Sequence, residues 1–225
     1  MTSPGATRRI GAALGAFAAT AVMLASGVTD VTAAIMLHFE GHGAFFSSET
    51  HQPVTIDPQI FVQAPGAPGA LGPQGILHAA GVVPAPLSAP PDTPLYNADG
   101  NLLGTTLGRW LGAAGTGIVE PAGDLVHADR VSVTFTGLVP GGLYTLFKVT
   151  FQPSGNTFAP LDGSGVRHNF VALTDGTARA TVLTPAPLTD SNAVVLVYHS
   201  DGRTHAMSRG TPGVTAHPQL IARVR

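Results

Sequence analysis

The chain has 225 residues, 44% of them hydrophobic and 11% charged, with a formal net charge of −2 and no cysteine. The missing cysteine excludes thiol catalysis, disulfide stapling and lipoprotein anchoring. With no basic run anywhere, the chain lacks the electrostatic footprint that nucleic acid or an anionic membrane surface requires.

The first segment reads as an address. Arg8 and Arg9 precede an apolar run from Ile10 to Ala25, and Val31-Thr32-Ala33-Ala34 supplies the small residues that signal peptidase prefers. The run is short for a spanning helix. The expectation is therefore a secretory signal over 1–33, cleaved at Ala33 or Ala34, and a secreted or periplasmic product. Gly11 and Ala12 stand where a twin-arginine signal carries bulky apolar residues, which favours the Sec route. Cleavage would leave nine basic and twelve acidic residues, a net charge of −3. No later apolar run approaches the ~20 residues of a membrane span, so none is expected in the mature chain.

From Ile35 to Phe46 apolar and polar residues alternate, as in a half-buried strand. His38, Glu40 and His42 would then share one face about 7 Å apart, with His51 able to fold back towards them. Val54–Val62 is a second strand candidate, interrupted by Pro58. Residues 64–94 turn to Pro, Gly and Ala almost without charge, which predicts an extended connection with some polyproline character and few backbone partners. Thr105–Ala114 is the one helix candidate: Thr105 or Thr106 can cap it, Leu107, Trp110 and Leu111 share a face, and Gly115 stops it. Asn97-Ala98-Asp99-Gly100-Asn101 resembles the start of a calcium loop but has Leu102 and Gly108 where that loop needs Gly and Glu, so a turn is expected.

Strands dominate the rest. Arg130–Thr136 puts Val131, Val133 and Phe135 on one face, and Leu143–Phe151 returns after Pro140-Gly141-Gly142. Arg167–Leu173 and Thr177–Leu183 flank Thr174-Asp175-Gly176 in the manner of a hairpin. Ala193–Tyr198 is continuously apolar, like a central strand buried on both faces, and Leu220–Val224 closes the chain. The phrase Leu138–Leu146 resembles a turn-and-strand phrase of secreted bacterial sandwich domains. Together these features predict an all-β fold: an antiparallel sandwich of about 7–9 strands with one short helix, as a single domain over 34–225.

Histidine carries the candidate chemistry. Tyr198, His199, Asp201, Arg203 and His205 cluster where an apolar strand ends in a polar turn, an arrangement suited to binding because the scaffold beneath is rigid. His199 and His205, with His217, form the first metal candidate; His38, Glu40 and His42 form the second. The cofactor expectation is none or a divalent transition metal. No catalytic set is assigned: Ser164 lies in Asp162-Gly163-Ser164-Gly165 near His168, which is not a nucleophile elbow. The reading is a secreted non-catalytic binding or surface-associated module for a small molecule, a glycan or a surface protein. Its alternatives are a histidine-based metal protein or metalloenzyme, and a secreted hydrolase.

Overall fold

The computed structural model describes residues 1–2, 34–123 and 127–225. The expected leader therefore lies outside the described residues, apart from Met1 and Thr2. Residues 34–225 belong to one compact unit. In chain order they form β1 (Ile35–Gly41), α1 (His42–Glu49), β2 (Ile56–Gln63), β3 (Ala70–Leu71), β4 (Leu77–His78), β5 (Val82–Pro86), β6 (Pro94–Tyr96) and β7 (Leu102–Thr106). Then follow α2 (Leu107–Leu111), β8 (Ala114–Pro121), β9 (Asp129–Thr136), β10 (Leu143–Thr150), β11 (Thr157–Pro160), β12 (Asn169–Val171), β13 (Ala178–Leu183), β14 (Asn192–His199) and β15 (Ala216–Arg223). Every ladder between these strands is antiparallel, so the mainly-β expectation holds.

A nine-stranded sheet runs β11-β10-β14-β15-β1-β8-β9-β13, with β12 also paired to β10. This sheet curls into a half-barrel. Its two ends are joined by one tight turn, since β12 on the β10 edge leads directly into β13 beyond β9. That turn closes through Leu173 N–H to Thr177 O at 2.8 Å and Gly176 N–H to Leu173 O at 2.9 Å. The expected hairpin is thus corrected: β12 and β13 share a turn, but each ladders with another strand. Phe170 of β12 spans the seam, stacked on both Phe135 and Tyr144 with centroids 5.9 Å away. Gly115 is needed on β8 because a Cβ there would run into the Phe135 ring, which packs edge-on against Phe39 at 5.0 Å.

The main core lies on one face of this sheet. Leu37, Val131, Val133, Phe135, Leu146, Val194, Leu196 and Leu220 pack there with Leu107 and Trp110 of α2. Ile60, Val62, Ala85, Leu95 and Leu103 join the same cluster from a four-stranded sheet ordered β5-β2-β6-β7. Fully burying each such aliphatic side chain contributes about 1.5–3 kcal/mol, which lets the domain hold together without disulfides. A second cluster, Phe147, Val149, Ala193, Val195, Val197, Ala216 and Ile221, lies on the other face of β10, β14 and β15. Two-sided burial explains why β14 reads as an unbroken apolar run and why all of its residues are buried. The same two-sided burial reaches β10, where Tyr144, Thr145, Leu146 and Phe147 are all buried.

Other expectations change at the first two elements and in the proline-rich stretch. The strand from Ile35 stops at Gly41, and the next eight residues coil into α1, a helix the sequence reading did not contain. β1 pairs with β8 and β15 as a bridge in the large sheet, whereas β2 pairs only with β5 and β6. Residues 64–94 are more than an extended connection with few backbone partners. They contain β3, β4 and β5, and β5 ladders with β2 despite Pro84 and Pro86. It can do so because it is an edge strand, where a missing N–H faces outward. The register of β2 on β5 slips between Asp57 and Phe61, around Pro58. That bulge leaves Asp57 and Gln59 buried, at 1% and 2% exposure. The helix candidate shrinks to Leu107–Leu111, and Thr106 makes no side-chain cap bond. Asn97 makes the expected turn, its Oδ1 accepting from Asp99 N–H at 3.1 Å and Asn101 N–H at 2.8 Å. Among the described residues no helix is long and apolar enough to cross a membrane.

Candidate metal centre

β14 ends at His199, whose ring is pressed between strands and is 1% exposed. The β10 ladder pairs Leu143 with His199 and Thr145 with Val197. Thr145 is therefore the diagonal neighbour, and its Oγ1 lies 2.7 Å from His199 Nε2. His199 Nδ1 is buried without a hydrogen-bond partner. When Nε2–H donates to the threonine, Nδ1 presents a lone pair. This is the arrangement by which a neighbouring acceptor orients a ligating imidazole. Burial, reinforced by nearby His205, pulls the His199 pKa down to about 4, against the opposing pull of Asp201. The ring is therefore neutral at ordinary pH.

The loop after β14 brings Asp201 and His205 beside the His199 ring. Gly202 N–H donates to His199 O at 3.2 Å, and Asp201 Oδ1 accepts from Arg203 N–H at 3.1 Å. Asp201 Oδ2 lies 2.9 Å from His205 Nε2. His205 and Ala206 adopt left-handed backbone, with φ of +54° and +50°, which is costly for residues other than glycine. Gly210, at φ +82°, leaves room for the imidazole: a Cβ there would sit 2.9 Å from His205 Cδ2. The His199 and His205 rings end with centroids 5.6 Å apart.

His199, Asp201 and His205 each offer one ligand atom, all within 4.8 Å of one another. Two donors on a tetrahedral ion with bonds of ~2.0–2.1 Å sit roughly 3.3 Å apart. Small rotations of the partly exposed Asp201 and His205 side chains close that difference. Two imidazoles and one carboxylate suit zinc or another borderline divalent ion and leave a fourth position open.

The remaining predicted residues fall elsewhere. Tyr198 is turned into the main core, edge-on to Trp110 at 6.2 Å and against Tyr144 at 5.4 Å, so it does not face the loop. Arg203 is exposed and contributes its backbone N–H. His217 does not join the set: its Nδ1 is 2.8 Å from Gln59 O and its Nε2 is 3.0 Å from Ser200 Oγ. The second metal candidate is dispersed. His38 and Glu40 are exposed on β1, while His42 begins α1 and is buried. The helix start breaks the two-residue period that placed them together.

Ser164 is likewise committed. Its hydroxyl donates to Asp162 Oδ2 at 2.6 Å, and the N–H groups of Ser164, Gly165, Val166 and Arg167 converge on the same carboxylate. Burial works to raise the Asp162 pKa, but the Ser164 hydroxyl and these N–H groups outweigh it and hold the carboxyl well below the usual range. That geometry builds a turn, with no imidazole on the serine.

Sequence reading missed the Asp57–Trp110 bond at 3.2 Å and the His217–Gln59 tie. The partners are 53 and 158 residues apart, and no local signal connects them. No protein-family model matches the chain, and neither curated proteins nor solved structures give a match.

Proposed function

We propose that this chain is an exported, sandwich-like, non-catalytic module that holds a divalent transition metal through His199, Asp201 and His205. The observation that carries the reading is His199 itself: its Nδ1 is buried without a partner, and the residue lies beside the imidazole and the carboxylate of the short loop that follows it. Leaving a buried polar atom unsatisfied costs about 1–3 kcal/mol, and an ion at that point removes the cost. Export rests on the order of Arg8-Arg9, the apolar run and Val31–Ala34. The sandwich reading rests on the core that residues of the nine-stranded and four-stranded sheets share.

Metal alone tests the proposal. Zinc titrated into the metal-free protein at pH 7.5 should bind at one equivalent by calorimetry. His199→Ala and His205→Ala should each abolish uptake, and Asp201→Ala should weaken it. Undiminished uptake by His199→Ala, or none by a folded wild-type chain, would overturn the reading. Turnover of esters or glycosides by the zinc-loaded protein, lost in His199→Ala, would instead move it to a metallohydrolase.

A further inference from the structure

The outer face of β10, β14 and β15 is incompletely covered. A cleft of about 420 Å³ opens there, floored by Val149, Val195 and Ile221 and walled by Phe45 and Phe151. It runs into a second hollow of about 440 Å³, the two sharing His42, Gln74, Asn156 and Phe158. Both volumes fall in the range of small-molecule sites, which are mostly apolar with a few polar groups that fix orientation.

The polar groups here are unevenly matched. Glu49, the carboxylate in the lining, is already held by Arg223 at 2.8 Å, and that guanidinium lies 4.3 Å from the Phe151 ring centre. Arg209 lines the second hollow with its guanidinium carbon 3.4 Å from the Phe158 ring centre, and among the described residues it has no carboxylate partner. His42, 8% exposed, has an unpartnered Nδ1. Gln59, 2% exposed, gives its amide N–H to Gln74 Oε1 at 2.6 Å and keeps an unpartnered Oε1. The cleft is thus lined by one positive charge without a carboxylate partner among the described residues, a buried histidine with an unpartnered nitrogen, and a hydrocarbon floor.

We infer that this cleft binds an apolar monocarboxylate, a medium-chain or aryl acid, with its carboxylate on Arg209 and its hydrocarbon over Val149, Val195 and Ile221. A guanidinium presents paired N–H donors that match a carboxylate, and stacking on Phe158 holds the fork in place before the ligand arrives. His42 Nδ1, in its N–H tautomer, serves the second ligand oxygen. Gln59 Oε1 is left for a donor such as a bound water. A phosphate would bring ~1.5–2 negative charges to a single cation, so one carboxylate is the better match. Burial lowers the Arg209 pKa to about 10, leaving it cationic at neutral pH.

Decanoate is the probe, titrated by calorimetry into the purified chain, with 1-decanol and inorganic phosphate as controls. Decanoate should bind saturably in the micromolar range, decanol at least tenfold more weakly, and phosphate not at all. Arg209→Gln should weaken decanoate at least tenfold and leave decanol unchanged. Asn156→Trp changes an exposed residue at the mouth and should weaken both, so the test stands even if the arginine variant fails to fold. The inference is overturned by the absence of saturable decanoate binding to the folded chain. It is equally overturned by decanoate affinity that survives in either folded variant.

Discussion

His199 and His217 sit on neighbouring strands, are both buried, and both have pKa values pulled down to about 4 by burial. Their second nitrogens set them apart. His217 is bonded on both sides, to Gln59 O and Ser200 Oγ, and so ties the four-stranded sheet to the β14–β15 connection. His199 is bonded only to Thr145, its Nδ1 is buried without a partner, and the loop that follows it holds His205 and Ala206 in left-handed backbone. Burial and depressed basicity alone therefore do not mark a functional histidine. The unsatisfied nitrogen beside further candidate ligands is the difference on which the proposed metal site turns, and the two residues should respond differently to the same perturbations.

The largest effect should come from acid, where the two behave alike. His42, His199 and His217 have pKa values lowered from 6.5 to about 4. A folded-state pKa below the unfolded value means stability that is complete above about 6.5 and is lost as pH falls through about 4. Each histidine contributes up to ~1.4 kcal/mol per pH unit across that window. Asp57 opposes them, since burial raises its pKa to about 6. His168, also lowered by burial, adds to the loss in the same direction, and the three histidines less Asp57 already leave a loss on the order of 5 kcal/mol between pH 7 and 4.5. Thermal melts followed by circular dichroism should show Tm falling by roughly 10–20 °C. A flat profile would mean that these rings are not buried neutral.

Truncation should then separate the pair. His217→Ala removes two hydrogen bonds and opens a hole between the sheets, costing about 3 kcal/mol in urea unfolding; metal uptake should survive. His199→Ala breaks one bond at a strand end, costing about 1–2 kcal/mol, and should abolish uptake. Zinc at a hundred times its dissociation constant should stabilise the wild type by about 2.7 kcal/mol. It should do the same for the His217 variant and nothing for the His199 variant. Equal metal responses in the two variants would erase the distinction.

How much of this was legible in the sequence depends on how far apart the partners lie. β9 and β14 were readable because burial on one face gives a period of two and burial on both gives a continuous run. The His199–His205 cluster was readable because its members lie on one loop. α1 was not: His42-Gly43-Ala44-Phe45-Phe46-Ser47-Ser48-Glu49 has no clear helical stripe, and it sits between two elements against which tertiary packing decides. β5 was hidden by Pro84 and Pro86, whose tolerance depends on a strand being at an edge, a fact of topology. The cleft beside Arg209 was invisible because His42, Gln59, Asn156 and Arg209 meet only after α1, β2, the β10–β11 connection and the β14–β15 connection have been placed.

The smallest expected effect tests the counterweight to the histidines. Asp57 lies two residues before Gln59, in the same bulge, and its Oδ2 accepts from Trp110 Nε1 at 3.2 Å while its Oδ1 accepts from Gln59 N–H at 3.0 Å. Burial raises the Asp57 pKa, and these donors pull against it by favouring the carboxylate. The carboxyl therefore supports the fold most when protonated: its contribution is complete below 3.8 and lost as pH rises through about 6. Trp110→Phe keeps most of the apolar contact and removes one donor. Because a hydrogen bond to a charged group is worth about 1.5–3 kcal/mol and to a neutral one about 0.5–1.5, the variant should lose about 2 kcal/mol at pH 8. At pH 5 the loss should be about 1 kcal/mol. Urea unfolding followed by circular dichroism at the two pH values reads the difference directly, since Trp110 is the sole tryptophan and fluorescence would vanish with it. A cost that is equal at both pH values would mean that Asp57 does not change charge between them, and the opposition to the histidines would have to come from another group.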